Sequence, residues 1–129
     1  MPYSLAVSKI MIIKIRKAPP LNHLYGTGYH GVRYVKPEGK AWKEELCYLI
    51  KASGEEKMIG EVELDITLRT CRHQDIDSVL KILFDSIQAS EIIDDDYQIF
   101  KLTMTKERVK KEDEGIEFEL KPISCVSSF

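Results

Sequence analysis

The chain has 129 residues, enough for one domain and no more. Hydrophobic residues make up 43% and charged residues 31%, which supports a buried core and excludes a disordered chain. The net charge of -2 hides a split: residues 1–60 hold ten Lys/Arg against five Asp/Glu (net +5), and residues 61–129 hold nine against sixteen (net -7).

Such a split suits a surface that grips phosphates beside one that holds cations. Part of it comes from the five acids after Lys110, expected in a solvated hairpin. No apolar run is long enough to span a membrane. The opening MPYSLAVSKI lacks a basic stretch followed by a long apolar one, so no signal peptide is expected and the cytoplasm is the default location.

Residues 8–16 (SKIMIIKIR) read as a strand buried on at least one face. Residues 17–39 carry three prolines and four glycines without a sustained period, and are expected to form a long loop. That stretch interleaves Lys17, Arg33 and Lys36 with Tyr25, Tyr29, Tyr34, His23 and His30. Cations for phosphates and flat rings for bases or sugars are what a nucleic-acid surface needs, although any one tyrosine can equally pack back on the domain. Residues 38–53 form a helix on the spacing of Ala41, Trp42, Leu46, Leu49 and Ile50, stopped by Gly54.

Residues 60–70 alternate, with Val62, Leu64, Ile66 and Leu68 on one face, and read as a half-buried strand. The three cysteines, Cys47, Cys71 and Cys125, are odd in number and form no CxxC pair, which argues against a disulfide framework and a zinc knuckle. Cys71 reads as a small residue closing the strand. The second helix, residues 75–89, has an apolar stripe of Ile76, Val79, Leu80, Leu83, Phe84 and Ile87. Two strands follow, at 97–104 and 115–122, joined by a charged turn, and residues 124–129 are expected to be a flexible tail. The whole is expected to be one α+β domain over 1–129, in the order β-α-β-α-β-β, with a mixed sheet packed against two helices.

The chemistry concentrates in the aspartates. Asp75 is placed to cap the second helix, which is an ordinary role for that residue. Asp77 is harder to assign to structure, because Asp75 already complements the helix dipole. Two acids two residues apart at a strand-to-helix junction can bring both carboxylates to one point, and hard cations need only two or three. Lys81 lies one turn beyond Asp77. It can pair with Asp77 or Asp85 in a solvated ladder, or bind a scissile phosphate. Asp94, Asp95 and Asp96 form a third cluster. Read alone it is an acidic turn; beside Asp75 and Asp77 it completes a split carboxylate site, provided the strand at 97–104 returns antiparallel beside the strand at 60–70.

The stretch RHQDIDSVLKILFDSIQASEIIDDDYQI, residues 72–99, resembles the signature of the RusA family of Holliday junction resolvases. The matching positions are Asp75, Asp77, Lys81, Phe84, Asp85, Asp95, Asp96, Gln98 and Ile99, with PPLN at 19–22 and EGKAWKEEL agreeing more loosely. The resemblance implies a homodimer that nicks four-way junction DNA in pairs with Mg2+ or Mn2+. It makes Asp75, Asp77 and Asp96 the metal-binding catalytic acids, with Asp95 the other candidate for the third ligand, and Lys81 the phosphate-side lysine. DNA contacts are expected from Lys17, Asn22, Arg33, Lys36, Arg72, His73 and Lys81. Two departures stand out: Ser78 stands where the family often has asparagine, and the stretch before the first aspartate, with only Arg72 ahead of His73 and Gln74, is poorer in arginine than in a member of the family. The alternatives are a non-catalytic junction-binding relative and a metal–nucleotide transferase built on the Asp-x-Asp pair.

Overall fold

A computed structural model of the chain describes residues 10–19, 25–27 and 33–123, with backbone alone at 25–27 and 33–35. Strand β1 (Met11–Ile15) is followed by two short strands, β2 (Tyr25–Thr27) and β3 (Arg33–Val35), and by helix α1 (Pro37–Ala52). Strand β4 (Val62–Thr70), helix α2 (Ile76–Ala89), strand β5 (Ile99–Arg108) and strand β6 (Gly115–Pro122) complete the domain. The main sheet runs β1-β6-β4-β5, while β2 and β3 form a separate antiparallel ribbon. This is the α+β architecture with two helices and a mixed sheet that the periodicities call for.

The central strand explains the layering. Alternation along β4 sends Val62, Leu64, Ile66 and Leu68 to one face, where all four are fully buried. Leu120, Phe118 and Ile116 of β6 lie beside Leu64, Ile66 and Leu68 in register, and Met11, Ile13 and Ile15 continue the same face across β1. Both helices cover it: α1 contributes Trp42, Leu46 and Ile50, and α2 contributes Val79, Ile82, Leu83 and Ile87. Trp42 keeps its indole N–H satisfied by donating to the Arg16 carbonyl oxygen at 2.9 Å, which ties α1 to the end of β1. Among the described residues no helix is long and apolar enough to cross a membrane.

Three expectations change. The stretch 17–39 is not loop throughout: it contains β2 and β3, each three residues long and too short to show a period. Strand β5 begins later and runs farther than the period-2 pattern suggested, because residues 96–98 form a single 3-10 turn and the exposed strand tolerates charge to Arg108. Most consequential, β5 is parallel to β4, with Leu64 beside Leu102 and Thr70 beside Arg108. A helix of 14 residues carries the chain back about 21 Å, most of the length of β4, and the turn at its end covers the rest, so the following strand starts from the same end as the preceding one. The expected tail at 124–129 and Cys125 lie outside the described residues.

Gln98 pins the start of β5. Its amide nitrogen donates to the carbonyl oxygens of Met58 (3.1 Å) and Gly60 (2.9 Å). Its Oε1 accepts from the backbone N–H groups of Asp94 (2.7 Å) and Asp95 (3.3 Å). The residue is buried, so truncation strands four backbone groups. Gln98→Ala is expected to cost about 3 kcal/mol in urea unfolding at unchanged m-value, where an exposed glutamine would cost nothing measurable.

Candidate active site

Asp75 and Asp77 stand at the start of α2, just past the carboxyl end of β4. Asp75 is the cap residue by backbone conformation, but its side chain makes no capping hydrogen bond. It faces the imidazole of His73 instead, with Nε2 3.3 Å from Oδ1. Asp77 is exposed in the first turn. Ser78 is buried and donates its hydroxyl to the Asp75 carbonyl oxygen at 3.1 Å. Lys81 is exposed one turn farther along.

The turn that presents these acids is held from behind by a carboxylate from the far side of the chain. Glu114, just before β6, accepts from the Cys71 backbone N–H at 2.8 Å and from Lys17 Nζ at 2.9 Å. Lys17 also donates to Thr70 Oγ1 at 3.2 Å, so its ammonium serves this junction. Those hydrogen bonds, first among them the Cys71 amide, lower the Glu114 carboxyl from 4.5 to about 2. The Lys106 ammonium donates to the Gln74 carbonyl oxygen at 2.6 Å, and Gln74 Nε2 donates to the Ala18 carbonyl oxygen at 3.1 Å. Together they line or border a cleft of about 420 Å³ with Arg72, His73, Asp75 and Lys111 on its walls. In that cleft the exposed carboxylate of Asp75 lies among the side chains of Arg72, His73 and Lys111.

The second acidic cluster is arranged differently. Asp94 pairs with Lys57. Asp95 caps the 3-10 turn, accepting from the Tyr97 N–H at 3.4 Å. Asp96 is exposed and shares a hydrogen bond with Asp95, which raises its carboxyl above the ordinary 3.8, with burial and the charges of Asp95 and Asp85 adding to the shift.

The two clusters do not meet within the chain. Asp96 precedes Ile99, which lies beside Val62 at the start of β4, while Asp75 and Asp77 follow Thr70 at its end. The charge Asp96 feels from α2 is that of Asp85, about 12 Å along the helix axis from Asp77. Among the described residues no three His, Cys, Asp or Glu side chains gather to hold one ion. The antiparallel return that would have joined Asp96 to Asp75 is replaced by the parallel one.

A protein-family model described as endodeoxyribonuclease RusA matches residues 18–121. The chain belongs to the RusA endodeoxyribonuclease family. It is thereby an endodeoxyribonuclease of the class that resolves crossover junctions. A comparison with curated proteins returned no match. Within this RusA domain the sequence had marked the acids and Lys81, but not Glu114, Lys106 or Lys57, whose partners are distant in the chain and leave no local pattern. Asn22 lies outside the described residues, Arg33 is described only as backbone in β3, and Lys36 is the residue before α1, its carbonyl oxygen accepting from the Lys40 N–H at 2.9 Å. Arg72 and His73 are exposed at the cleft.

Two pH dependences follow. Because the Glu114 carboxyl is lowered on folding, it adds stability above its unfolded value near 4.5 that is lost as pH falls towards 2. Glu114→Gln should therefore lower Tm at pH 7 and match wild type near pH 2 in calorimetric melts. Asp96 has the opposite sign: its raised carboxyl makes the ionised form unfavourable to folding, so Asp96→Asn should raise Tm at pH 7. That gain should shrink as pH falls through the carboxylate range and Asp96 is protonated in the wild type.

Proposed function

We propose that this RusA family member resolves four-way junctions as a metal-dependent homodimer, with Asp75 and Asp77 of one protomer acting beside Asp96 of the other. The separation of the acids along α2 carries this reading. One chain does not fit a three-carboxylate centre, because its parallel crossover leaves two acids at one end and the third at the other. A two-fold assembly with antiparallel α2 helices joins opposite ends and makes two equivalent sites, as two opposed nicks in a junction require.

Mg2+, with Mn2+ as its substitute, is the cation assigned to these acids, since hard ions take carboxylate oxygens and keep several waters. Lys81, on the exposed side of α2 one turn from Asp77, is assigned to the scissile phosphate. Arg72 and His73 at the cleft mouth, with Asn22, Arg33 and Lys36 before α1, are assigned to the DNA backbone, and the cell's DNA in the cytoplasm, during recombination and repair, is the setting. Lys17 shapes this surface through Glu114. No observation favours the transferase alternative.

The decisive test mixes two inactive proteins, Asp77→Asn and Asp96→Asn, and assays synthetic four-way junctions with Mg2+ or Mn2+. Sites built from two protomers give each mixed dimer one intact and one doubly substituted site, so the mixture regains single nicks that neither protein makes alone. Mixtures as inactive as their components would overturn the shared site. Wild type that binds junctions but leaves them uncut at every metal and pH would overturn catalysis and leave a non-catalytic binder. Replacing Arg33 and Lys36 together with alanine should weaken junction binding and flatten its salt dependence, measured by titration across ionic strength; an unchanged slope would place DNA elsewhere.

A further inference from the structure

Strand β5 changes character along its length. It lies parallel to β4 and in register, so Leu102, Met104, Lys106 and Arg108 share the sheet face of Leu64, Ile66, Leu68 and Thr70. That is the face the helices cover, and all four of those β4 residues are buried. A continued pattern would put apolar side chains at 106 and 108. Two cations stand there instead, at the end of the sheet where the chain turns towards α2 and Asp75.

The turn after β4 brings a third cation to the same place. Thr70 Oγ1 donates to the Arg72 carbonyl oxygen at 2.7 Å and accepts from the Arg72 N–H at 3.2 Å, which fixes the backbone of Arg72. The Val109 N–H donates to the Thr70 carbonyl oxygen at 3.1 Å, so Arg108 is held against the same residue. Here lies a hollow of about 200 Å³, lined by Thr70, Arg72, His73, Lys106, Glu107 and Arg108. Arg72 and His73 also line the cleft that contains Asp75, so the hollow and the cleft share a wall.

These cations are not spent on carboxylates. Glu107, the one acid of the lining, alternates to the opposite face and pairs there with Arg69, Nε to Oε1 at 3.1 Å. Among the described residues no carboxylate pairs with Arg72 or Arg108. The Lys106 ammonium uses one of its three N–H groups on the Gln74 carbonyl oxygen, which draws its charge towards the start of α2. Like charges gathered on a fixed backbone repel one another, and an anion between them removes that cost.

We propose that the hollow is a phosphate subsite, which takes a phosphodiester of the DNA strand flanking the one that is cut. Arg72 and Arg108 supply planar guanidinium groups that match phosphate oxygens in pairs, and Lys106 supplies a point charge. The proposal rests on the reading that the cut phosphate lies at Asp75, and it adds Arg108 and Lys106 to the groups that hold the strand. A strand fixed at two phosphates, one on each side of the wall formed by Arg72 and His73, can neither slide nor turn about the first. The scissile phosphorus is thereby set in register with the acids.

Single methylphosphonates, each removing the charge of one phosphate, test the subsite when placed in turn along a synthetic four-way junction around the cut. Equilibrium titration of wild type should show binding weakened about tenfold at one position beside the scissile phosphate. Arg108→Gln should bind the unmodified junction about tenfold more weakly, with its salt slope lowered by about one. At that one position the variant should be indifferent to the methylphosphonate, and elsewhere it should respond as wild type does. Arg108→Lys keeps the charge without the fork and should fall between, which a general loss of fold would not produce. An Arg108→Gln protein that pays the wild-type penalty at every position overturns the subsite. So does inorganic phosphate that raises the Tm of wild type but not of Arg108→Gln while the scan shows no coupling, because the hollow then takes a free anion. Junctions that are bound but never cut with Mg2+ or Mn2+ remove the catalytic reading, while the coupling between Arg108 and one phosphate is still decided by the titration.

Discussion

Helix α2 lies on β4 with Val79, Ile82, Leu83 and Ile87 fully buried, and that packing fixes where the acids stand. A fully buried stripe cannot slide or rotate without opening cavities, at a cost of about 2–5 kcal/mol for each large side chain lost. The helix is therefore a rigid spacer of about 21 Å between the turn at Asp75 and the turn at Asp96. Its length, rather than any loop, decides that the two acidic clusters belong to different ends of the molecule.

The ends are built on opposite uses of the carboxylate. At the Asp75 end, Glu114 is enclosed by the Cys71 amide and the Lys17 ammonium, and it gains from being charged. It closes the path from β4 into α2 by joining residues far apart in sequence, and so sets the direction in which Asp75 leaves the sheet. At the other end, Gln98 satisfies four backbone groups and Lys57 neutralises Asp94, yet Asp96 sits against Asp95 and near Asp85 with its charge opposed. The buried Gln98 side chain there is hydrogen-bonded at both ends while the exposed acid is left at an electrostatic disadvantage. A structure optimised only for stability would remove that repulsion.

Much of this was legible along the chain. The alternation of Val62, Leu64, Ile66 and Leu68 and the stripe from Val79 to Ile87 are strong periodic signals, and both elements stand where the pattern puts them. The acids and Gln98 could be picked out by spacing and by their likeness to one family's signature. Strand direction was not legible, because a period of two says which face a residue takes and nothing about its neighbour. Partners were not legible either: Glu114 reads as one more charge in a charged turn until folding sets it beside Cys71 and Lys17. The ribbon of β2 and β3 is three residues on each side, below the length at which alternation can be told from chance.

Under the proposed assembly, the same crossover that divides the site also controls it. A protomer alone holds Asp75 and Asp77 at one end and Asp96 at the other, so its described residues present no complete three-carboxylate centre to DNA. Completion then depends on the concentration of a second copy, and anything that binds the dimer in preference to the protomer favours the active form by mass action. A four-way junction is such a ligand, since its approximate two-fold symmetry matches the assembly and its phosphates meet the basic surfaces of both copies. Recognition of the substrate and construction of the catalytic site become one equilibrium. Linear duplex, which offers no matching pair of arms, contributes less to that equilibrium, and selectivity for junctions follows from the position of two turns at opposite ends of one helix.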